Sequence, residues 1–289
     1  MLATLSTPIA APVIVGTRLP RGSAGSAKGA PSFVAEAITT ARRAGATGIL
    51  LARMDSAFDN YAVAATCVRA GVRFSITTRQ TRPVRSTIAA IPEDAWVPIA
   101  YPHAIYDEES GQWISDAEIA ETTYTAYSSR RQSEQMTVRL IVRRVKDKNI
   151  VSDQGELFTA WRYHAFITDS TLPLVDAEKQ HRQHAIIEGV NADLKDSALA
   201  HLPSGSFAAN AAWLALAAIA HNLTRTAGCL ASLCHATART GTLRAHLITL
   251  PARMARGSRR IILHLPLHWP HRDAFSGLFT ATHAPPHTA

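Results

Sequence analysis

The chain has 289 residues, 47% apolar and 18% charged, a balance that specifies a folded protein with a sizeable core and excludes a disordered or fibrous one. Three cysteines, Cys67, Cys229 and Cys234, are too few for a disulfide framework and fit a reducing cytoplasm. The net charge of +8 divides into +5 over residues 1–54, −4 over 55–196 and +7 over 197–289, so basic ends that attract polyanions such as nucleic acid flank an acidic middle able to collect cations.

Residues 2–16 lack the positive start of a signal peptide, and Pro8 and Pro12 interrupt them. Residues 18–30 are rich in Gly and Ser and basic, which predicts a loop; Arg21 and Lys28 within it are candidate phosphate contacts. Pro31 suits a helix start, and an amphipathic helix is expected over 33–44, stopped by Gly45. Residues 48–54 form a short apolar run, a buried strand ending at Asp55. A helix follows over 57–70, ended by Gly71, and then a strand over 72–78. Strand, helix and strand at this spacing predict an α/β core. Asp55 either caps the following helix or faces the crevice at the strand's carboxyl end, where open α/β sheets bind ligands.

From about 80 to 170 the pattern turns to strands, at 96–100, 119–127, 138–145 and 163–168, separated by turn-rich stretches at 107–111 and 146–154. Helix returns over 174–195. Residues 207–227 are apolar but carry Asn210, His221, Asn222 and Arg225, which predicts a core helix with Trp213 inside rather than a membrane span. Residues 240–260 are Arg-rich and expected to be helical with a break at Pro251; there Arg253, Arg256 and Arg260 would share a face toward DNA phosphate. A strand is expected at 261–265, and a disordered tail from Thr280.

Placed on one helix at about 100° per residue, His181, His184, Glu188 and Lys195 fall within a stripe about 60° wide. Such a stripe is either a solvated face or a site. As a site it suits metal-assisted phosphodiester chemistry, in which Mg²⁺ or Mn²⁺ takes carboxylate oxygen and basic groups hold phosphate. Asp55 and Glu188 are the candidate metal ligands. Arg182 is a further candidate phosphate contact, but only if the helix rotates.

The segments RGSAGSAKGA at 21–30, RMDSAF at 53–58, QGELFTAWRYHAFITDS at 154–170, HAIIEGVNADLK at 184–195 and HLPSGSFAANAAWLALAAIAHNLTR at 201–225 resemble DDE-type transposases of bacterial insertion sequences, with the nearest likeness to the insertion-sequence family numbered thirteen-eighty. The resemblance implies an RNase H-like catalytic core with a β-rich insertion and a helical carboxyl-terminal part. It divides the chain into a partial core at 1–80, the insertion at 81–170, core completion with the third-carboxylate helix at 171–228 and a basic region at 229–289. By the same resemblance Asp55 is the second catalytic carboxylate and Glu188 the third. The family's Tyr-x₂-Arg-x₃-Glu-x₆-Lys spacing persists as His181, His184, Glu188 and Lys195, with His in place of both Tyr and Arg. The family's first Asp precedes the Gly/Ser loop, whereas here no Asp precedes Asp55. The chain therefore looks like the carboxyl-terminal two-thirds of a transposase.

The expected function is DNA transposition, by an inactive or partner-dependent fragment. The alternatives are a non-catalytic DNA-binding or inhibitory fragment, or a stand-alone metal nuclease of the same fold. Expected partners are element ends, target DNA and further copies of the chain, with no membrane, in the bacterial cytoplasm at the nucleoid. His264, His268 and His271 are not expected to hold zinc, because Pro266 and Pro270 break the helix that would align the first two. Cys229, Cys234 and His235 lack short zinc-binding Cys pairs, and the two thiols are expected to be buried.

Overall fold

The computed structural model describes residues 1–20, 28–102, 104–109, 111–146, 161–250, 252–257 and 259–283. The chain forms two compact units: a central one, Ser23–Ala185, and a terminal one that joins Met1–Gly22 to Ile186–Ala289.

The terminal unit opens with an antiparallel hairpin, β1 (Leu2–Thr7) and β2 (Ala10–Thr17). In the central unit, Gly29 adopts φ 76° ahead of α1 (Ala30–Arg43), and Gly45 at φ 92° follows the helix end. Glycine suits both positions because a Cβ resists this left-handed backbone. The strand β3 (Leu51–Met54) ends at Asp55. The helix expected from 57 starts later. Asp55 caps a short 3₁₀ turn, Ser56–Phe58, and Asn60 Oδ1 accepts from Val63 N at 3.1 Å to begin α2 (Tyr61–Arg69). Two capping side chains compete here, and the second starts the α-helix.

There follow β4 (Arg73–Thr77), α3 (Arg82–Ala89), the two-residue β5 (Val97–Pro98) and a small hairpin of β6 (Ile105–Asp107) and β7 (Gln112–Ile114). The long strands β8 (Ala117–Ala126), β9 (Met136–Lys146) and β10 (Trp161–Thr168) complete a six-stranded sheet of order β3-β4-β10-β9-β8-β5. Only β3 and β4 run parallel; the other neighbours are antiparallel. The expected strand-rich stretch thus joins the α/β part in one mixed sheet. The expected turn at 147–154 lies outside the described residues.

Side chains alternate across each strand. Phe74 and Ile76 of β4 are fully buried on one face, while Ser75 and Thr77 point to the other, where α4 (Leu174–Arg182) lies. On that second face Ile141, Phe166 and Ala177 form a cluster with Leu174 against it. Arg144 of β9 is buried between the Trp96 and Trp161 rings, 4.3 and 4.4 Å from their centroids, and bonds to Glu118 and Glu93. This guanidinium is satisfied by carboxylates at its edge and π faces above and below.

The terminal unit resumes with α5 (Ile186–Lys195), α6 (Phe207–Ala231), α7 (Leu233–Thr237) and α8 (Thr240–Leu243). A π turn, Arg244–Ile248, leads to the hairpin of β11 (Arg253–Arg256) and β12 (Ile261–His264), and α9 (Arg272–His283) ends the described chain. Ile14, Val190, Leu194 and Ala218 pack together as its core cluster. Asn222 donates to the Ile14 carbonyl and accepts from its N–H, both at 2.8 Å, so the side-chain amide pins β2 to α6.

Several expectations change here. The helix expected through 240–260 stops at the π turn, and residues from Arg253 pair as a hairpin. Trp213 is 38% exposed rather than core; its indole N–H donates to the Ala198 carbonyl at 2.6 Å. Leu216, Ile219 and Leu223 are also exposed, so α6 buries one face only. Cys229 and Cys234 are exposed and only Cys67 is buried, where burial pushes its thiol up to about 12. Residues 280–283 of the expected disordered tail are helical. No helix among the described residues is long and apolar enough to cross a membrane.

Candidate functional site

Asp55 stands exposed at the carboxyl end of β3. Its Oδ1 accepts from Ala57 N at 2.8 Å and holds the 3₁₀ turn. The two readings of this residue are compatible: the cap uses one carboxylate oxygen, and the group still faces solvent. Nearby, Asp59 accepts from Thr78 Oγ1 at 2.7 Å and from Tyr127 OH at 3.3 Å. Burial and the Asp59 charge push the Tyr127 phenol well above its ordinary range.

The helix expected over 174–195 is interrupted. After α4 comes a 3₁₀ turn, Gln183–Ala185, and then α5. Arg53 supplies a physical cause: its Nη1 donates to the Gln180 carbonyl and to Gln183 Oε1, each at 3.0 Å. A guanidinium on a carbonyl of the last turn closes a helix. His181 thus lies on α4, and Glu188 and Lys195 on α5, with the 3₁₀ turn between the two helices in the chain.

His181 is buried beneath α4. Its Nδ1 lies 2.7 Å from Ser75 Oγ, its Nε2 lies 3.2 Å from Thr77 Oγ1, and its ring stacks on Phe166 at 3.9 Å. Both ring nitrogens meet hydroxyls of β4, so the imidazole anchors the helix to the sheet. Arg182 Nε lies 2.9 Å from Oε2 of Glu178, a carboxylate that Arg143 also holds at 2.6 Å. That ion pair commits Arg182 within its own unit. The His184 side chain lies outside the described residues.

Glu188 is exposed in the first turn of α5, where a carboxylate complements the helix dipole, and Lys195 is exposed at its last position. Seven residues apart, they share a helix face. The opposite face holds α5 in place through Val190, Leu194 and Asp193. Asp193 Oδ2 accepts from Thr240 N at 3.2 Å and Thr240 Oγ1 at 3.1 Å, and lies 3.8 Å from Arg225 Nη2.

Of the expected basic contacts, Arg21 lies outside the described residues and Lys28 is exposed beside Gly29. Arg253, Arg256 and Arg260 are exposed, but not on a helix. Arg253 pairs with His264 and Arg256 with Ile261 across the β11–β12 hairpin. Positions three apart on a strand face opposite sides, so the shared helical face is replaced by a basic ribbon.

The sequence reading missed one constellation. His235, His246 and His271 each offer a ring nitrogen within 4.8 Å of the others. No spacing signal announces it, because the three come from separate elements.

The structure thus defines an α/β protein with a mixed sheet, an exposed acid closing a parallel strand, and a second exposed acid opening a helix. Residues 13–284 match the family described as Transposase DDE domain group 1, and the chain belongs to that family. This agrees with the DDE transposase resemblance of the sequence. No curated protein matches the chain.

Proposed function

We propose that the chain serves DNA transposition as a DDE transposase-type protein of the thirteen-eighty group, with Asp55 and Glu188 as its carboxylates for a divalent cation. The observation that carries the reading is the family match across residues 13–284. The parallel β3–β4 pair, with α2 between them in sequence and Asp55 at the strand end, supports an RNase H-like core. Residues 81–170 supply the strands that complete its mixed sheet.

The donors fit the cation: both carboxylates are exposed hard oxygen ligands of the kind Mg²⁺ or Mn²⁺ prefers. A bound ion would polarise phosphate and help activate water or a 3′ hydroxyl. Lys195, on the Glu188 face, holds phosphate as a point charge, with His184 on the preceding turn as a second phosphate contact. His181 acts indirectly, by fixing α4 on β4. Lys28, Arg21, Arg253, Arg256 and Arg260 contact the DNA backbone, which positions the duplex without reading its sequence. The protein works at the nucleoid and with other copies of itself.

No Asp precedes Asp55 in the sequence, so this chain's own residues supply two of the three carboxylates of a DDE site. This favours DNA binding with little or no cleavage by the chain alone. Gel-shift and plasmid-nicking assays with Mg²⁺ or Mn²⁺ test both parts. The expected result is duplex binding that weakens steeply with salt, with nicking near background. No binding at low salt overturns the DNA role. Efficient nicking abolished by Asp55→Ala overturns the requirement for a further carboxylate.

A further inference from the structure

His235 lies in α7, His246 in the π turn Arg244–Ile248, and His271 just ahead of α9. His235 Nε2 and His246 Nδ1 are 3.3 Å apart. The His246 and His271 rings stack at 3.6 Å, and His271 meets the His235 ring edge-on at 5.8 Å. Nitrogens bound to one tetrahedral zinc at its usual bond length stand about 3.4 Å apart. One pair already has that separation, and the three nitrogens lie within 4.8 Å of one another.

The surroundings orient the imidazole of His235. Ser232 Oγ lies 2.7 Å from His235 Nδ1 while capping α7, which turns Nε2 toward the cluster. Such outer hydrogen bonds orient metal-binding histidines. The π turn carrying His246 is a distortion often found at functional sites. There is also a structural need: α9 has no buried residue of its own.

We propose that His235, His246 and His271 form a zinc site that clips α7, the π turn and the start of α9 together, with the fourth position open to water. Imidazole nitrogen suits zinc, as it suits nickel and copper, and disfavours Mg²⁺. This site is separate in chemistry from the carboxylates assigned to transposition and does not depend on that reading.

The test uses the whole chain, stripped of metal by a chelator and titrated with Zn²⁺, with Co²⁺ as a visible probe. One equivalent should bind, raise the melting temperature and give tetrahedral cobalt bands. His246→Ala and His271→Ala should each weaken binding roughly 100-fold or more, whereas His268→Ala should leave it unchanged. No binding to the native chain, or binding that survives both histidine substitutions, overturns the site. Should a substituted chain fail to fold, X-ray absorption on the zinc-loaded native protein decides: imidazole donors support the site and an all-oxygen shell overturns it.

Discussion

Asp193 of α5 and Arg225 of α6 form a buried ion pair, 3.8 Å apart, with side chains 10% and 3% exposed. Thr240 donates to the same carboxylate and accepts from Arg225 Nη2 at 2.8 Å. The triad ties the helix that carries Glu188 and Lys195 to the core of its unit. Removing one partner strands the other charge in a desolvated site, at a cost of about 3–5 kcal/mol. Arg225→Met should therefore lower the urea midpoint far more than Arg253→Met, an exposed control. Equal, small effects would show that the pair does not secure α5.

Asp55 combines a cap with a proposed metal ligand, and two substitutions separate them. Asn keeps the side-chain acceptor for Ala57 N but loses the charge. Asp55→Asn should leave the melting temperature near native while abolishing any cation-dependent change in DNA binding. Asp55→Ala should in addition cost about 0.5–2 kcal/mol in stability. Thermal melts and gel shifts with and without Mn²⁺ read the two effects independently.

Arg144 is held by two carboxylates and two indole faces, an arrangement that needs a planar guanidinium. Arg144→Lys should cost about 1.5–3 kcal/mol, the usual worth of hydrogen bonds to a charged group. Trp96 and Trp161 make the loss visible as a change in tryptophan fluorescence before global unfolding. A lysine variant with native stability and emission would contradict this account.

Burial holds His164 and His221 below the ordinary histidine range; nearby arginines add to it, and the Pro12 carbonyl partly offsets it at His221. The folded chain then binds fewer protons than the unfolded one. The stability contribution is full above about pH 6.5 and is lost as pH falls through the lowered values. Denaturation midpoints should drop between about pH 7.5 and about pH 5, and less so in His221→Gln. Asp169, whose carboxyl burial raises, works in the opposite sense at lower pH. A flat profile across the histidine window would refute the assignment.

Gly228 of α6 is where α7 comes closest: an added Cβ would lie 2.6 Å from the His235 carbonyl oxygen and 3.2 Å from its carbon. Backbone cannot yield cheaply, so Gly228→Ala should cost about 1–3 kcal/mol. It should also weaken zinc binding by displacing His235. Calorimetric titration of the variant checks both.

The amino-acid sequence by itself determined the local elements and the family. Pro31 and Gly45 bound α1, strand-like runs mark β9 and β10, and the apolar run before Asp55 marks β3, because capping, turn chemistry and strand preference act between near neighbours. Where two local signals competed, as with the caps at Asp55 and Asn60, or where a distant side chain intervened, as Arg53 does at the end of α4, the boundary depended on the fold. Tertiary structure alone decided that β10 pairs with β4, that His181 is an anchor under α4, that the 253–264 arginines sit on a hairpin, and that His235, His246 and His271 meet. Those outcomes depend on burial and hydrogen bonding between residues far apart in the chain, which no periodicity encodes.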